Sequence, residues 1–293
     1  MSTDRNATTA LPTRSRSWEN LVPHIDLGRG IRARHIQLDI ERAPKADLYT
    51  KAGNVLKLMQ ANRWDNIAVT SKGRIVGYAK RTQLMRAEAD QPIRNVTHSL
   101  AGGSVISGDT PITDVMEWIA KQRVVFVLEG REITGAVTIW DFNKQPARAY
   151  YYLVLAGLEI ALADLVRWRY GKNQSNLIAH LGSRDTEELH ERMERDRSGH
   201  GDLVSYLNFK HLLRAFEKDR ALRAELGKYD VPKWKSMTKP LGELRNEVMH
   251  PVKTLVGSVE DMETLTRDIG NATELVNRAI IALRKKYPAP KPA

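Results

Sequence analysis

The feature that most restricts what this chain can fold into is an internal repeat in its first half. His35-Ile36-Gln37-Leu38-Asp39-Ile40 alternates polar and apolar residues, a strand pattern. Residues 47–62 carry Leu48, Val55, Leu56, Leu58 and Met59 on one helical face. Ile67-Ala68-Val69-Thr70 predicts a strand, Ser71-Lys72-Gly73 a turn, residues 74–79 the returning strand and 82–89 a helix. The order then recurs. Val105-Ile106 predicts a short strand, and Thr110 or Thr113 caps a helix running to about residue 122, with Val115, Met116, Trp118 and Ile119 inward. Residues 124–128 and 133–138 predict strands around the turn at Glu129-Gly130, and Asp141 opens another helix. Gly73 to Ala79 aligns on Gly130 to Ala136. The unit that repeats is strand, helix, strand, turn, strand, helix.

Over roughly residues 34–147 this repeat resembles a tandem pair of CBS domains, the regulatory modules first described in cystathionine β-synthase. The resemblance implies two βαββα units packed through their sheets, with an adenosine nucleotide (AMP, ATP or a related ligand) bound in a cleft between them. The second unit carries the family's G-h-h-T-x-x-D pattern as Gly135-Ala136-Val137-Thr138-Ile139-Trp140-Asp141. By that pattern Asp141, at a helix start, accepts from both ribose hydroxyls, and Thr138 offers a hydroxyl to ribose or phosphate. The free amides and positive dipole end of that helix suit a phosphate. The same two residues also read as a strand end and a helix cap. The first unit departs from the pattern. Gly77-Tyr78-Ala79-Lys80-Arg81-Thr82-Gln83 has Lys80 in place of Thr and Gln83 in place of Asp, which implies at most one well-formed ribose site.

After Pro146 the strand signals vanish. Residues 148–170 read as one long helix, with Tyr151, Val154, Leu155, Leu158, Leu162 and Leu165 at helical spacing and Gly171 ending it. Further helices are expected over 186–195, 203–218, 221–226, 241–249 and 259–286, and a loop over 228–240, where Pro232 and Pro240 stand. The result is a four- or five-helix bundle. Just before its last helix lies Leu244-Arg245-Asn246-Glu247-Val248-Met249-His250-Pro251. Five residues of straight helix rotate a side chain by about 140°, so Arg245 and His250 do not share a face there. Pro251 disfavours helical backbone at His250, so the helix should kink or stop and could turn the imidazole toward the arginine. Arg29 with His35, Arg184 with His190 and Arg195 with His200 share the bare spacing. Asn246, the apolar flank, the following proline and the place before the final helix set Arg245 and His250 apart.

This arrangement, over roughly residues 148–287, resembles the HEPN superfamily and its R-x(4–6)-H motif. The resemblance implies a homodimer with two motifs facing one cleft and, as in many members, a metal-independent endoribonuclease. His250 is then general base on a ribose 2′-OH or acid to the leaving oxygen. Arg245 holds the scissile phosphate and stabilises its growing charge. Asn246 orients His250 or the RNA backbone. The product is a 2′,3′-cyclic phosphate, and the CBS pair gates the reaction by binding a nucleotide. Glu159 lies where members often carry an acid. Val252 stands where nucleotidylated members carry a tyrosine. In the rival reading the bundle is a non-catalytic dimerisation or RNA-binding module whose motif only holds helices. A DNA-binding regulator ranks lower, for want of a helix-turn-helix pattern.

Composition limits the remaining choices. The formal net charge of +11 makes a polyanion such as RNA a plausible partner. There is no cysteine, which excludes disulfides, thiol nucleophiles and Cys-ligated zinc, and suits a reducing cytoplasm. No metal ligands are assigned, and no cofactor is required for catalysis. No apolar run approaches the roughly 20 residues that span a bilayer, so no membrane partner is expected. The expected fold class is α+β: a leader or arm over 1–33 (with Trp18, Leu21, Val22 and Ile25 as a short helix or docked arm), the CBS pair over 34–147, the all-α HEPN-like domain over 148–287 and a tail over 288–293.

Overall fold

A computed structural model describes residues 30–100, 103–171, 174–196 and 202–287. Most of the expected leader, the 288–293 tail, and Arg29 and His200 of the other Arg–His pairs lie outside the described residues. Two compact units emerge, and neither is contiguous in sequence. One comprises 30–155 with 236–273, the other 156–235 with 274–287. The linear boundary at 147/148 is therefore not where the contacts divide. The segment bearing Arg245 and His250 belongs to the unit that holds the strands.

That unit begins with α1 (Ala33–Ile36) and β1 (Leu38–Asp39) in place of one strand over 35–40. Ala33 and Ile36, three apart and both fully buried, share a helical face that outcompetes the alternation. The first repeat is β2 (Lys45–Asp47), α2 (Ala52–Ala61), β3 (Asn66–Ser71), β4 (Arg74–Lys80) and the short α3 (Arg81–Leu84), followed by β5 (His98–Ser99). The second is β6 (Val105–Ser107), α4 (Ile112–Gln122), β7 (Val124–Glu129), β8 (Glu132–Thr138) and a 3-10 turn, Ile139–Asn143. Neither threonine caps α4; Pro111 precedes its first residue and Thr113 donates to Asp114. Leu58, expected inward on α2, is 44% exposed, because the buried stripe runs through Ala52, Val55 and Met59.

The strands form two four-stranded sheets, β2-β3-β4-β5 and β1-β8-β7-β6. β1 precedes the first repeat in sequence but pairs with β8 of the second. Its counterpart on β4 is β5. Both outer strands lie against a glycine. A Cβ on Gly77 would sit 2.2 Å from the His98 carbonyl oxygen, and one on Gly135 would sit 2.4 Å from Gln37 Oε1 and 2.8 Å from Leu38 O. Close approach of a neighbouring strand is what glycine permits here. The structural repeat therefore matches Gly77 with Gly135. The turn glycines are offset by one place, since the two-residue loops are Lys72-Gly73 and Gly130-Arg131.

Period-two alternation splits the apolar residues of each hairpin between two cores. Ile67, Val69 and Ala79 pack with Val55 and Met59 of α2. Ala68 and Tyr78 pack with Val124, Phe126 and Ala136 of the other sheet. The sheets thus meet through their second faces.

α5 (Gln145–Tyr170) runs 26 residues. It is long and apolar enough to cross a bilayer by length and composition, which the sequence reading did not anticipate. Its most apolar window is 61% buried within the protein, as in a core helix. The remaining elements are α6 (Gln174–Ile178), α7 (Ser183–Arg195), a 3-10 turn at Leu203–Tyr206, α8 (Phe209–Lys218), α9 (Arg220–Leu226), α10 (Val231–Val248) and α11 (Val259–Lys286). The helix expected over 203–218 is broken because each half has its own cap: Asp202 accepts from Ser205 N and Asn208 accepts from His211 N. Conversely, α10 absorbs most of the expected 228–240 loop. Trp234, Met237, Leu241, Leu244 and Val248 fall three and four apart and are all buried. Burying them, at about 1.5–3 kcal/mol each, outweighs the roughly 3 kcal/mol cost of Pro240 inside the helix.

Asp219 anchors the helical unit. Its carboxylate caps α9 through Ala221 N (2.7 Å) and Leu222 N (3.3 Å), and accepts from Tyr170 Oη (2.8 Å) and Arg169 Nε (3.1 Å). Burial pushes its carboxyl up, but the Tyr170 hydroxyl, the two amides and the Arg169 charge more than offset that and hold it below the usual value. A depressed carboxyl contributes stability that is complete above the unfolded value of about 3.9 and lost as pH falls through the lower folded value. Asp219→Ala should lower stability by about 2 kcal/mol at pH 7. The difference from wild type should shrink in urea titrations below about pH 3. Equal midpoints at pH 7 would contradict this role.

Candidate functional site

A cavity of about 310 Å³ opens in the strand-bearing unit, on the faces through which its two sheets meet. Trp64, Tyr78, Phe126 and Trp140 give it aromatic walls; Thr138 and Asp141 also line it. The Tyr78 and Phe126 ring centroids are 6.0 Å apart, and Trp140 is 57% exposed. Such a cavity lies at the small end of the usual ligand-site range, about 300–1,000 Å³.

Thr138 and Asp141, paired in the sequence reading, are brought together here. Asp141 is buried. Its Oδ2 accepts from Thr138 N (2.6 Å) and Thr138 Oγ1 (3.0 Å), and its Oδ1 pairs with Lys144 Nζ at 2.6 Å. A carboxylate has about four acceptor positions, so about one remains. Acceptance from both ribose hydroxyls requires one present donor, most simply the Thr138 hydroxyl, to turn toward the ligand. The expected helix dipole is absent. Asp141 sits in a five-residue 3-10 turn, too short to sum its peptide dipoles, and the Thr138 amide is already taken.

The first repeat has no carboxylate at the position that matches Asp141. Gln83 Oε1 lies 2.6 Å from His98 Nε2, and Arg81 pairs with Asp65 at 2.6 Å. Lys80 lies over the Tyr78 ring, 5.9 Å from its centroid.

Two arginines that the sequence reading passed over line the same cavity: Arg63 and Arg123. Each ends the principal helix of its repeat in left-handed backbone, at φ 57° and 68°. That place is ordinarily glycine, because a side chain there costs about 1–2 kcal/mol. Holding arginine there in both repeats puts two exposed guanidiniums at one cleft. The legible signal was a helical run closing on Asn62-Arg63 and again on Gln122-Arg123, with no glycine.

The Arg245–His250 segment lies in the same compact unit. α10 stops at Val248, so Pro251 ends the helix rather than kinking it. Arg245 is half-buried in the last turn, while Asn246 and His250 are exposed. The backbone around them is held by Arg148, a buried arginine. Its Nη1 donates to the carbonyls of Glu247 (3.3 Å), Val248 (3.4 Å) and His250 (3.3 Å), and its Nη2 to Lys253 O. These include carbonyls that a helix C-terminus leaves without partners. Asn143 extends the clamp. Its Nδ2 donates to Val256 O (2.8 Å), and its Oδ1 accepts from Leu255 N (2.7 Å) and Val256 N (3.1 Å). Arg148 also had a readable signal: it occupies a position of the apolar stripe through Tyr151, Leu155, Leu158 and Leu162. Glu159, on α5, is half-buried.

No protein-family model matches the chain, and no curated protein sequence matches it. Several solved structures of CBS-domain proteins are similar over about two-fifths of its length. A hemolysin-like protein containing a CBS domain, from Oenococcus oeni PSU, is 18% identical, covers 42% of this chain and 94% of its own, and has a TM-score of 0.35. The CBS domain of the bacterial CNNM/CorC family Mg2+ transporter, in complex with ATP, is 16% identical over 43% and 93%, at 0.36. CbpB in complex with c-di-AMP is 15% identical over 41% and 87%, at 0.36. At these scores the likeness adds no weight of its own. The strand topology and the cleft carry the reading below.

Arg148→Ala should lower stability by about 2–4 kcal/mol, since it strips the buried Val248 carbonyl and several part-buried ones of a charged donor. Amide hydrogen exchange should rise over 249–257. Arg148→Lys should fail to restore protection, because one ammonium cannot reproduce the planar fan of donors. Unchanged exchange in Arg148→Ala would show that the loop stands without the clamp.

Proposed function

We propose that this chain is a nucleotide-responsive regulator of CBS type, whose intersheet cleft takes an adenosine nucleotide such as AMP or ATP. The observation that carries this is the convergence on one cavity of aromatic walls, the Thr138–Asp141 pair and the two left-handed arginines. The aromatic rings suit a purine, Asp141 a ribose and the guanidiniums a phosphate chain. Calorimetry with AMP and ATP tests it. Asp141→Asn should weaken both ligands by about tenfold, some 1.4 kcal/mol. Arg63→Ala and Arg123→Ala should weaken ATP more than adenosine, and reduce the salt dependence. Absence of saturable binding by either nucleotide would refute the reading.

The finer proposal is that the nucleotide governs RNA cleavage at Arg245, Asn246 and His250. Its chemical support is an accessible imidazole and amide within five residues of an arginine, on backbone held by Arg148. Its regulatory support is the 3-10 turn: Asp141 faces the cleft, and Asn143, two residues on, grips the loop that follows His250. In this proposal two chains pair their motifs in a homodimer. Neither Asn246 nor His250 makes a side-chain hydrogen bond among the described residues, so orientation of the imidazole falls to the RNA or a second chain. That same observation favours the rival, a non-catalytic RNA-binding or dimerisation module. RNA incubated with the protein in EDTA should yield 2′,3′-cyclic phosphate ends, and His250→Ala should abolish them without lowering the melting temperature. Asn143→Ala should keep nucleotide binding but lose the nucleotide's effect on rate. Cleavage unaffected by His250→Ala would sink the catalytic proposal; RNA retention without cleavage would leave the rival standing.

A further inference from the structure

The helical unit brings together a different set of side chains. Asp185 and Glu188, one turn apart on α7, and His211 on α8 place three possible ligand atoms within 4.8 Å of one another. His211 is fully buried, and its Nε2 has no hydrogen-bond partner among the described residues. That nitrogen faces the two carboxylates, 3.8 Å from Asp185 Oδ1 and 4.0 Å from Glu188 Oε2. These separations are too long for hydrogen bonds. They are close to the spacing of two atoms that share one ion, about 3–4 Å when each bond is about 2.0–2.2 Å. A buried ring nitrogen with no partner is costly, and a cation between the three groups would satisfy it.

We infer that Asp185, Glu188 and His211 bind a divalent transition-metal ion of the zinc or cobalt class, tying α7 to α8. One imidazole and two carboxylates suit such borderline cations. A histidine ligates a metal through a neutral imidazole. Ligation through Nε2 leaves the ring proton on Nδ1. That gives up only the 3.5 Å contact with Asn208 N, at the limit of a hydrogen bond.

Two cations already engage Asp185. Arg214 Nη1 lies 2.6 Å from Oδ2, the oxygen turned away from His211, and would orient the carboxylate. Lys210 Nζ lies 3.2 Å from Oδ1, the oxygen the metal needs, but its side chain is 67% exposed and can withdraw. Lys210 is therefore a competitor of the ion, which a purely structural salt-bridge cluster does not require.

The test uses the full chain, stripped with chelator and titrated first with Co2+ and then with Zn2+. One Co2+ per chain should bind with a visible absorption band, and Zn2+ should raise the melting temperature. Glu188→Gln and His211→Gln should each weaken Co2+ by at least about tenfold, the lower end of what even outer-shell partners contribute. Lys210→Met should tighten it. Should His211→Gln fail to fold, Glu188→Gln, at a half-exposed position, decides the matter. No saturable Co2+ binding, or equal affinity in wild type and Glu188→Gln, overturns the inference. The readouts are metal binding and stability, so they are independent of any nucleotide or RNA chemistry.

Discussion

The Arg148 guanidinium is the contact on which the strand-bearing unit's functional geometry depends. α10 closes on Met249-His250-Pro251, with no glycine to turn the chain. Its last carbonyls need donors, and Arg148 supplies them from within the buried stripe of α5. The helical unit repeats the device. Buried Arg223 donates to Phe216 O (2.8 Å), Glu217 O and Tyr229 O (3.3 Å), closing α8. Arg63 and Arg123 close α2 and α4 differently, by taking the left-handed residue themselves. Four helices thus end on an arginine where a glycine is commoner. A glycine would terminate a helix and nothing more. An arginine also leaves a cation near the break, where it complements the negative end of the helix dipole.

Much of this fold was legible because its strands and longest helices are set by local periodicity. The last helix spans Val259–Lys286, the bounds its apolar spacing gives, and the hairpin strands agree to within one residue or two. The departures share a cause. At 35–40 a buried pair, Ala33 with Ile36, overrode an alternation that counted three apolar residues out of context. At 228–240 two prolines read as punctuation, but five buried positions three and four apart held the helix through Pro240. Tertiary burial decided both, and a window of a few residues does not contain it.

The candidate site was legible in part for a similar reason. Thr138 and Asp141 come from one short motif, so their proximity follows from local backbone. Arg63 and Arg123 are far apart in sequence and line one cavity only because the two repeats pack sheet to sheet. Arg148 and Asn143 act on carbonyls and amides about a hundred residues away, and backbone groups carry no residue-type signal. What a sequence can offer in such cases is an anomaly: a charged residue on an apolar stripe, or a helix end without its glycine.

The 3-10 turn between β8 and α5 also limits how a ligand in the cleft could be felt elsewhere. A ligand shifts an equilibrium only by the difference in its affinity for two states. Asp141 has about one acceptor position to spare, so a ribose presenting two hydroxyls must dislodge Thr138 Oγ1 or Lys144 Nζ. Release of Thr138 is local, a hydroxyl rotation at the strand end. Release of Lys144 is not, because its ammonium also donates to Ile36 O (2.6 Å) and Gln37 O (2.9 Å), where the chain enters β1. Lys144 directly follows Asn143, whose amide holds the 255–256 backbone. A ligand content with Thr138 would occupy the cleft silently, whereas one that competes for Asp141 with Lys144 would strain the grip on the loop after His250. Under the proposed function, discrimination between an activating and a silent nucleotide therefore rests on which donor it displaces from Asp141, Thr138 or Lys144, not on how tightly it binds.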